Sequence, residues 1–378
     1  MNTDNSLLTR AECNAMRGLA IMGIFLHNYC HWLGPIVKEN EYQYIQRNVD
    51  WLHQVMASPD GWLPMHLLSF FGHYGVPVFL FLSAYGLVLK YESGPRLTQG
   101  AERFSITGRH LPNLGEGLRF VRYHYLKLFK MMIVGFVAFT MLDYLTPGPH
   151  HYQSLDIIAM LGMFNNVLPN PDRIIWPGPF WFFGLMLQLY IIYRLFIYRR
   201  HWAFTVVLMV VCLALQLCLS PDGEAMNRYR YNFMGGMLPF GLGLLFARYG
   251  NKVMLVNLTF GSFLMSWVVC SFFIVSASGS FYTWVIVPAL VCYASVYFIK
   301  TVSTLPLPRL RARIGYVLGW LGNVSAALFV IHPAIRKVFI TVSRQGDIYT
   351  GLLLYAIASL GAAWLVMKLM RHIPNPKL

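Results

Sequence analysis

Charge is scarce in this chain: only 12% of its 378 residues are Asp, Glu, Lys or Arg, against about 25% in a soluble globular protein. Acidic residues are scarcer still, with 15 Asp and Glu beside 30 Lys and Arg. No stretch is long and polar enough to make a separate soluble domain. Gly-Ser linkers, low-complexity segments and internal repeats are also missing. The six cysteines (Cys13, Cys30, Cys212, Cys218, Cys270 and Cys292) form no CxxC pair and mostly lie in or beside apolar runs. They read as small buried residues, which excludes a disulfide framework and a cysteine-held zinc site. No cleavable leader is evident, because the first apolar run begins near Ala15 behind mixed polar residues.

What is abundant is apolar surface, 57% of the residues with 16% aromatic. That composition belongs to a polytopic membrane protein. Runs long enough to span a bilayer, about 20 residues each, number about ten, near 15–33, 64–89, 128–145, 179–198, 202–219, 232–249, 254–276, 281–299, 319–340 and 351–369. The piece 155–168 is too short and reads as an interfacial or re-entrant helix. The expected fold is therefore an all-α transmembrane helix bundle forming a single domain over 1–378.

Loop charge orients it. Lys90, Arg96, Arg103, Arg109, Arg119, Arg122 and Lys127 fall between the second and third spans, and Arg199, Arg200, Arg248, Lys300, Arg309, Arg311 and Arg313 fall in later loops on the same side. The alternate loops are balanced: Lys38 and Arg47 face Glu39, Glu41, Asp50 and Asp60. Only Arg336, Lys337 and Arg344 weaken the alternation. The rule that Lys and Arg stay inside then places both termini in the cytoplasm, in a cell (inner) membrane. It also accounts for the net charge of +15 without nucleic acid as a partner; membrane lipids are the expected partners of that charge.

Ionisable residues at depth are expensive and tend to be kept for a task. Arg17 enters the first span, and His27 follows about 15 Å deeper. His31 follows one turn later. The His27-x-x-x-His31 spacing suits helical metal ligands, but no acidic or cysteine partner is obvious, so no metal is expected. His73 sits in Phe70-Phe-Gly-His-Tyr-Gly-Val-Pro-Val-Phe-Leu-Phe-Leu-Ser83, and His332 sits before Pro333 in the ninth run. An imidazole titrates near neutrality and can accept a proton; the competing reading is a neutral histidine bonded to a neighbouring helix. Trp181, Gln188 and Tyr190 on the fourth run are substrate-binding candidates or interhelical hydrogen-bonding groups. Arg119 and Arg122 share a helix face and could hold a phosphate, unless they are plain interfacial charge.

Several stretches together resemble the acyltransferase 3 family of integral membrane acyltransferases. They are Met16-Arg-Gly-Leu-Ala-Ile, Gly75-Val-Pro-Val-Phe-Leu-Phe-Leu-Ser-Ala-Tyr-Gly86, Arg119-x-x-Arg122, Phe180-Trp-Phe-Phe-Gly-Leu-Met-Leu-Gln-Leu-Tyr190 and Leu321-Gly-Asn-Val-Ser-Ala-Ala-Leu-Phe-Val-Ile-His332. The resemblance implies transfer of an acyl group, usually acetyl, from acyl-coenzyme A to a hydroxyl of a cell-surface or lipid-linked glycan. Carried over by position, it puts Arg17, Arg119 and Arg122 on the family's arginines and His27 and His332 on its histidines. The mechanism expected on that basis has His27 as the base, His73 or His332 beside the oxyanion, and the arginines with Lys127 on the donor, acetyl-CoA or another acyl-CoA. One departure stands out. The family usually spaces its first arginine and histidine by eleven residues, which returns to within about 20° of the same helix face; ten residues here turn Arg17 and His27 about 80° apart. Asn28 holds the eleventh position, as a substrate-binding group. Either a local bulge restores the geometry or the base lies elsewhere. The rival function is a transporter of a lipid-linked sugar or small solute, against which the missing internal symmetry argues.

Overall fold

The computed structural model describes residues 7–92, 114–253 and 259–377. Arg96, Arg103, Arg109 and the first residues of the expected seventh span lie outside the described residues. Among the described residues, 80% are helical and no strand occurs. The helices are α1 (Arg10–Cys30), α2 (Gln46–Ala57), α3 (Leu63–Phe71), α4 (Gly75–Tyr91), α5 (Leu114–Leu145), α6 (Ser154–Gly162), α7 (Pro171–Ile174), α8 (Trp181–Ile192), α9 (Trp202–Leu217), α10 (Glu224–Tyr231), α11 (Phe233–Val253), α12 (Phe260–Ala277), α13 (Phe281–Trp284), α14 (Val287–Thr304), α15 (Pro308–Arg344) and α16 (Ile348–His372).

Among the described residues, seven helical segments are long and apolar enough to cross a membrane, against the ten runs read from the sequence. The three that fall short have different reasons. α9, at 16 residues, is short. In α1 the polar Asn14, Arg17, His27 and Asn28 dilute the hydropathy, and in α11 five glycines and Arg248 do so. The piece near 155–168 is the nine-residue α6 followed by a single 3-10 turn, too short to span.

α1 starts on a capping box: Thr9 Oγ1 accepts from the Glu12 amide at 3.1 Å, and Glu12 accepts from the Thr9 amide at 2.8 Å. Both orphan amides are thereby satisfied. Lys300 of α14 pairs with the same carboxylate at 2.9 Å. The helix then runs through the bundle centre against α15, α4 and α3. Such an approach needs residues without side chains. A Cβ on Gly18 would lie 2.0 Å from the Leu318 carbonyl oxygen, and one on Gly322 would lie 2.0 Å from that of Asn14. Gly72 does the same for the turn between α3 and α4, where an added Cβ would sit 2.6 Å from the Gly23 oxygen and the His27 Cβ. On the other flank Tyr355 of α16 donates to the Phe25 carbonyl at 2.7 Å, and its ring stacks on Tyr29.

The segment after α1 folds over one end of the bundle. Lys38 bonds the carbonyl of His31, the C-cap of α1, and, at 2.8 Å, that of Leu33 just beyond the helix. Trp284 donates to the Asn40 carbonyl at 3.1 Å and Arg230 to that of Glu41 at 3.0 Å. Tyr42 stacks on Tyr231, with ring centroids 4.3 Å apart. These contacts pin the short Lys38–Tyr42 segment directly above the C-terminal half of α1.

Candidate functional site

α1 is an uninterrupted α-helix from Arg10 to Cys30, without the bulge that would align Arg17 with His27. The two residues accordingly serve different ends of the bundle. Arg17 is exposed near the start of the helix, while His27 is buried near its finish.

At the His27 end, Nδ1 of His27 lies 2.7 Å from the Ser69 carbonyl oxygen. A carbonyl only accepts, so Nδ1 carries the proton and Nε2 presents a lone pair. His31 Nδ1 sits 3.1 Å from that lone pair and 3.3 Å from a Glu39 oxygen. A Glu41 oxygen lies 3.9 Å from His27 Nε2. Burial pushes the Glu41 carboxyl up to about 8, and the neighbouring Glu39 charge adds to it. Burial acts the same way on Glu39, but the adjacent His31 and His27 outweigh it and hold that carboxyl well below its usual range. His27 Nε2, His31 Nδ1 and a Glu39 oxygen all lie within 4.8 Å of one another, an arrangement able to hold a cation. Glu39 is the acidic partner that the sequence did not reveal.

His27, His31 and Glu41 face a cavity of about 220 Å³, with Glu39 behind its lining. One side is aromatic, with Trp32, Trp176, Trp181, Tyr42 and Tyr231. His73 enters from the turn before α4, its ring centroid 5.5 Å from that of His27, and it is buried with neither ring nitrogen partnered. Asp172 accepts from Tyr231 at 2.6 Å and from Asn227, which fixes its carboxylate at the rim. Opposite stands Arg336 of α15. It is buried, bonds the backbone (3.2 Å) and side-chain oxygens of Asn28, and covers the Trp32 ring at 4.7 Å. It has no carboxylate at ion-pair distance among the described residues, whereas its neighbour Lys337 pairs with Asp143.

His332 is fully buried, with Nδ1 donating to the Leu328 carbonyl at 3.0 Å and Nε2 unpartnered. It is not among the residues lining the cavity; Phe329 and Arg336, one turn to either side, are. Gln188 is also elsewhere: its amide donates to Asn232 at 2.8 Å and accepts from the Phe233 amide at 2.9 Å, joining α8 to α11.

The opposite end is basic and aromatic. Tyr190 of α8 lies in the field of Arg17, and its ring packs against His124 at 4.2 Å. Tyr91 bonds His124 Nε2 at 3.2 Å, and Lys90 bonds the Tyr123 hydroxyl at 3.2 Å. Lys90 and Lys127 both act on His124. Arg119, Arg122 and Lys127 are exposed along the first turns of α5. Just behind, Arg248 holds both Glu92 oxygens at 2.7 and 2.8 Å, and Tyr193 donates to the same carboxylate at 2.9 Å. Apart from His332 and Gln188, the predicted residues divide in two. His27, Asn28, His73 and Trp181 meet at one cavity, and Arg17, Arg119, Arg122, Lys127 and Tyr190 gather at the other end.

A family model described as an acyltransferase domain, that of the acyltransferase 3 family, matches residues 10–368, nearly the whole chain. No curated protein and no solved structure matches it.

Proposed function

The chain belongs to the acyltransferase 3 family, and from that premise we propose that it moves an acyl group, acetyl in the simplest case, from acyl-coenzyme A to a hydroxyl of a surface or lipid-linked glycan. The observation that carries this reading is the unlike chemistry at the two ends of α1. The basic, aromatic end suits the phosphates and the adenine of coenzyme A: guanidiniums grip phosphate bidentately and rings stack on bases. With the positive-inside bias this end faces the cytoplasm, so the protein is a multi-pass protein of the cell membrane. The His27 end suits a sugar, with aromatic faces for its apolar side and fixed polar groups for its hydroxyls.

In this reading the thioester enters the bundle from the Arg17 end and the acceptor from the His31 end. The acceptor oxygen bonds to the thioester carbon, the carbon–sulfur bond breaks, and coenzyme A leaves as its thiolate. His73, whose nitrogens are both free, takes the hydroxyl proton. His27 has its donor nitrogen committed to Ser69 and its lone pair to His31, so it fixes the site's geometry. Arg336 and Asn28 provide donors for the negative oxygen that develops at the reacting carbon. The assignment of the base to His73 departs from the expectation for His27. It follows from the ten-residue spacing and the crowding of His27 Nε2.

The test uses the full-length protein in its membrane. Mass spectrometry of surface glycans from cells with and without it is expected to show acyl ester lost with the protein. Purified protein is expected to release coenzyme A from labelled acetyl-CoA slowly in the absence of acceptor. Unchanged glycans together with solute flux through liposomes would overturn the reading in favour of transport.

A further inference from the structure

We propose that His27, His31 and Glu39 form a binding site for a divalent transition metal of the zinc class, with its open position toward the cavity. Two of the three ligand edges match a tetrahedral site, and the third, from His27 to Glu39, is no longer than 4.8 Å. Metal–nitrogen bonds of about 2.0–2.1 Å and metal–oxygen bonds of about 2.0–2.2 Å at tetrahedral angles put neighbouring ligand atoms roughly 3.3–3.5 Å apart. The observed separations are 3.1 Å between His27 Nε2 and His31 Nδ1 and 3.3 Å between His31 Nδ1 and the Glu39 oxygen.

The proton count points the same way. Ser69 fixes the His27 proton on Nδ1, so Nε2 contributes a lone pair. The Glu39 oxygen contributes another. Only His31 Nδ1 could supply a proton to the group, and it would have to divide it between two acceptors lying 3.1 and 3.3 Å away. A cation satisfies all three atoms together. The Ser69 carbonyl then acts as the outer partner that metal-bound imidazoles commonly have, fixing tautomer and ring orientation. Two imidazoles and one carboxylate are a donor set for zinc or ferrous iron, and the hard oxygen-only preference of calcium and magnesium disfavours those ions.

The role of such an ion rests on the acyl-transfer reading; its binding does not. In the open position it would coordinate the acceptor hydroxyl and make its proton easier for His73 to remove.

The experiment is metal analysis of the full-length protein purified in detergent without chelator, then exposed to zinc and dialysed. The expected result is about one tightly held zinc per chain, lost in His31→Ala and Glu39→Gln and kept in His73→Ala. Cobalt exchanged into wild-type protein is expected to give a visible tetrahedral spectrum without a thiolate charge-transfer band, a readout that stands even if the variants fail to fold. A wild-type protein that retains no zinc, zinc that persists in folded His31→Ala and Glu39→Gln, or a cobalt–thiolate band each overturns the site. Bound metal without acyl transfer would sink the functional reading alone, and acyl transfer by a wild-type protein that retains no zinc would sink the metal site alone.

Discussion

α1 and α12 are both membrane-length helices, and they differ in nearly every other respect. α12 carries no charged residue and is mostly exposed: Met265, Val268, Phe272 and Phe273 face outward, and its main contact is with α14. α1 carries Asn14, Arg17, His27 and Asn28, and it is surrounded by α3, α4, α15 and α16. Hydropathy ranks α12 among the qualifying spans and passes over α1. Lipid demands an apolar surface, and protein neighbours relax that demand because polar groups find partners among them. In this fold the helix with the weaker membrane signal is the one the site is built on.

That contrast can be broken by mutation, beginning with the most severe case. Gly18→Leu drives a side chain into the α15 backbone, and size-exclusion chromatography in detergent is expected to show no monodisperse protein; a normal peak would mean that α1 and α15 are not so closely packed. His73→Ala is expected to leave a folded protein whose acyl transfer falls about 10²–10⁴-fold; wild-type turnover would remove His73 from the chemistry. Glu92→Gln strips the buried Arg248 of its counter-ion, and thermal unfolding should reveal a loss of about 3–5 kcal/mol. Arg119→Gln with Arg122→Gln should raise the KM for acyl-CoA roughly tenfold, about 1.4 kcal/mol, with kcat little changed. A fall in kcat alone would place these arginines elsewhere in the cycle. Phe272→Ala on α12 should change stability by no more than about 0.5 kcal/mol; a larger loss would show that α12 has a protein partner on its outer face.

The helices, their order and the split between a basic end and a histidine end were legible in the sequence, because periodic apolar runs and charge bias act locally. His73 and Trp181 were legible too, as polar or amphipathic residues in otherwise apolar runs, and both line the cavity. Glu39 and Glu41 were not. In the sequence they balance Lys38 and Arg47 in a loop; only the contacts of that loop with Trp284, Arg230 and Tyr231 turn them onto α1. Arg336 read as an anomaly of loop charge and is instead a buried wall of the cavity. Gln188 looked like a binding residue because a lone amide on an apolar helix has two readings, and its partner Asn232 lies 44 residues away. The ten apolar runs exceed the seven segments that qualify by length and hydropathy for a related reason: neither measure says whether a helix faces lipid or protein.

Between Arg17 and His27 on α1 stand Ile21 and Ile24; Val76 and Leu80 of α4 and Leu185 and Met186 of α8 belong to the same apolar core. An apolar stretch of α1 therefore separates Arg17 from His27. Its consequence is electrical. A water-filled path through the bundle would expose protons and small ions to a driving force of about 2.3 kcal/mol per unit charge for each 100 mV across the membrane. An apolar stretch between them admits a neutral acyl thioester from one side and a sugar hydroxyl from the other while the membrane keeps its voltage.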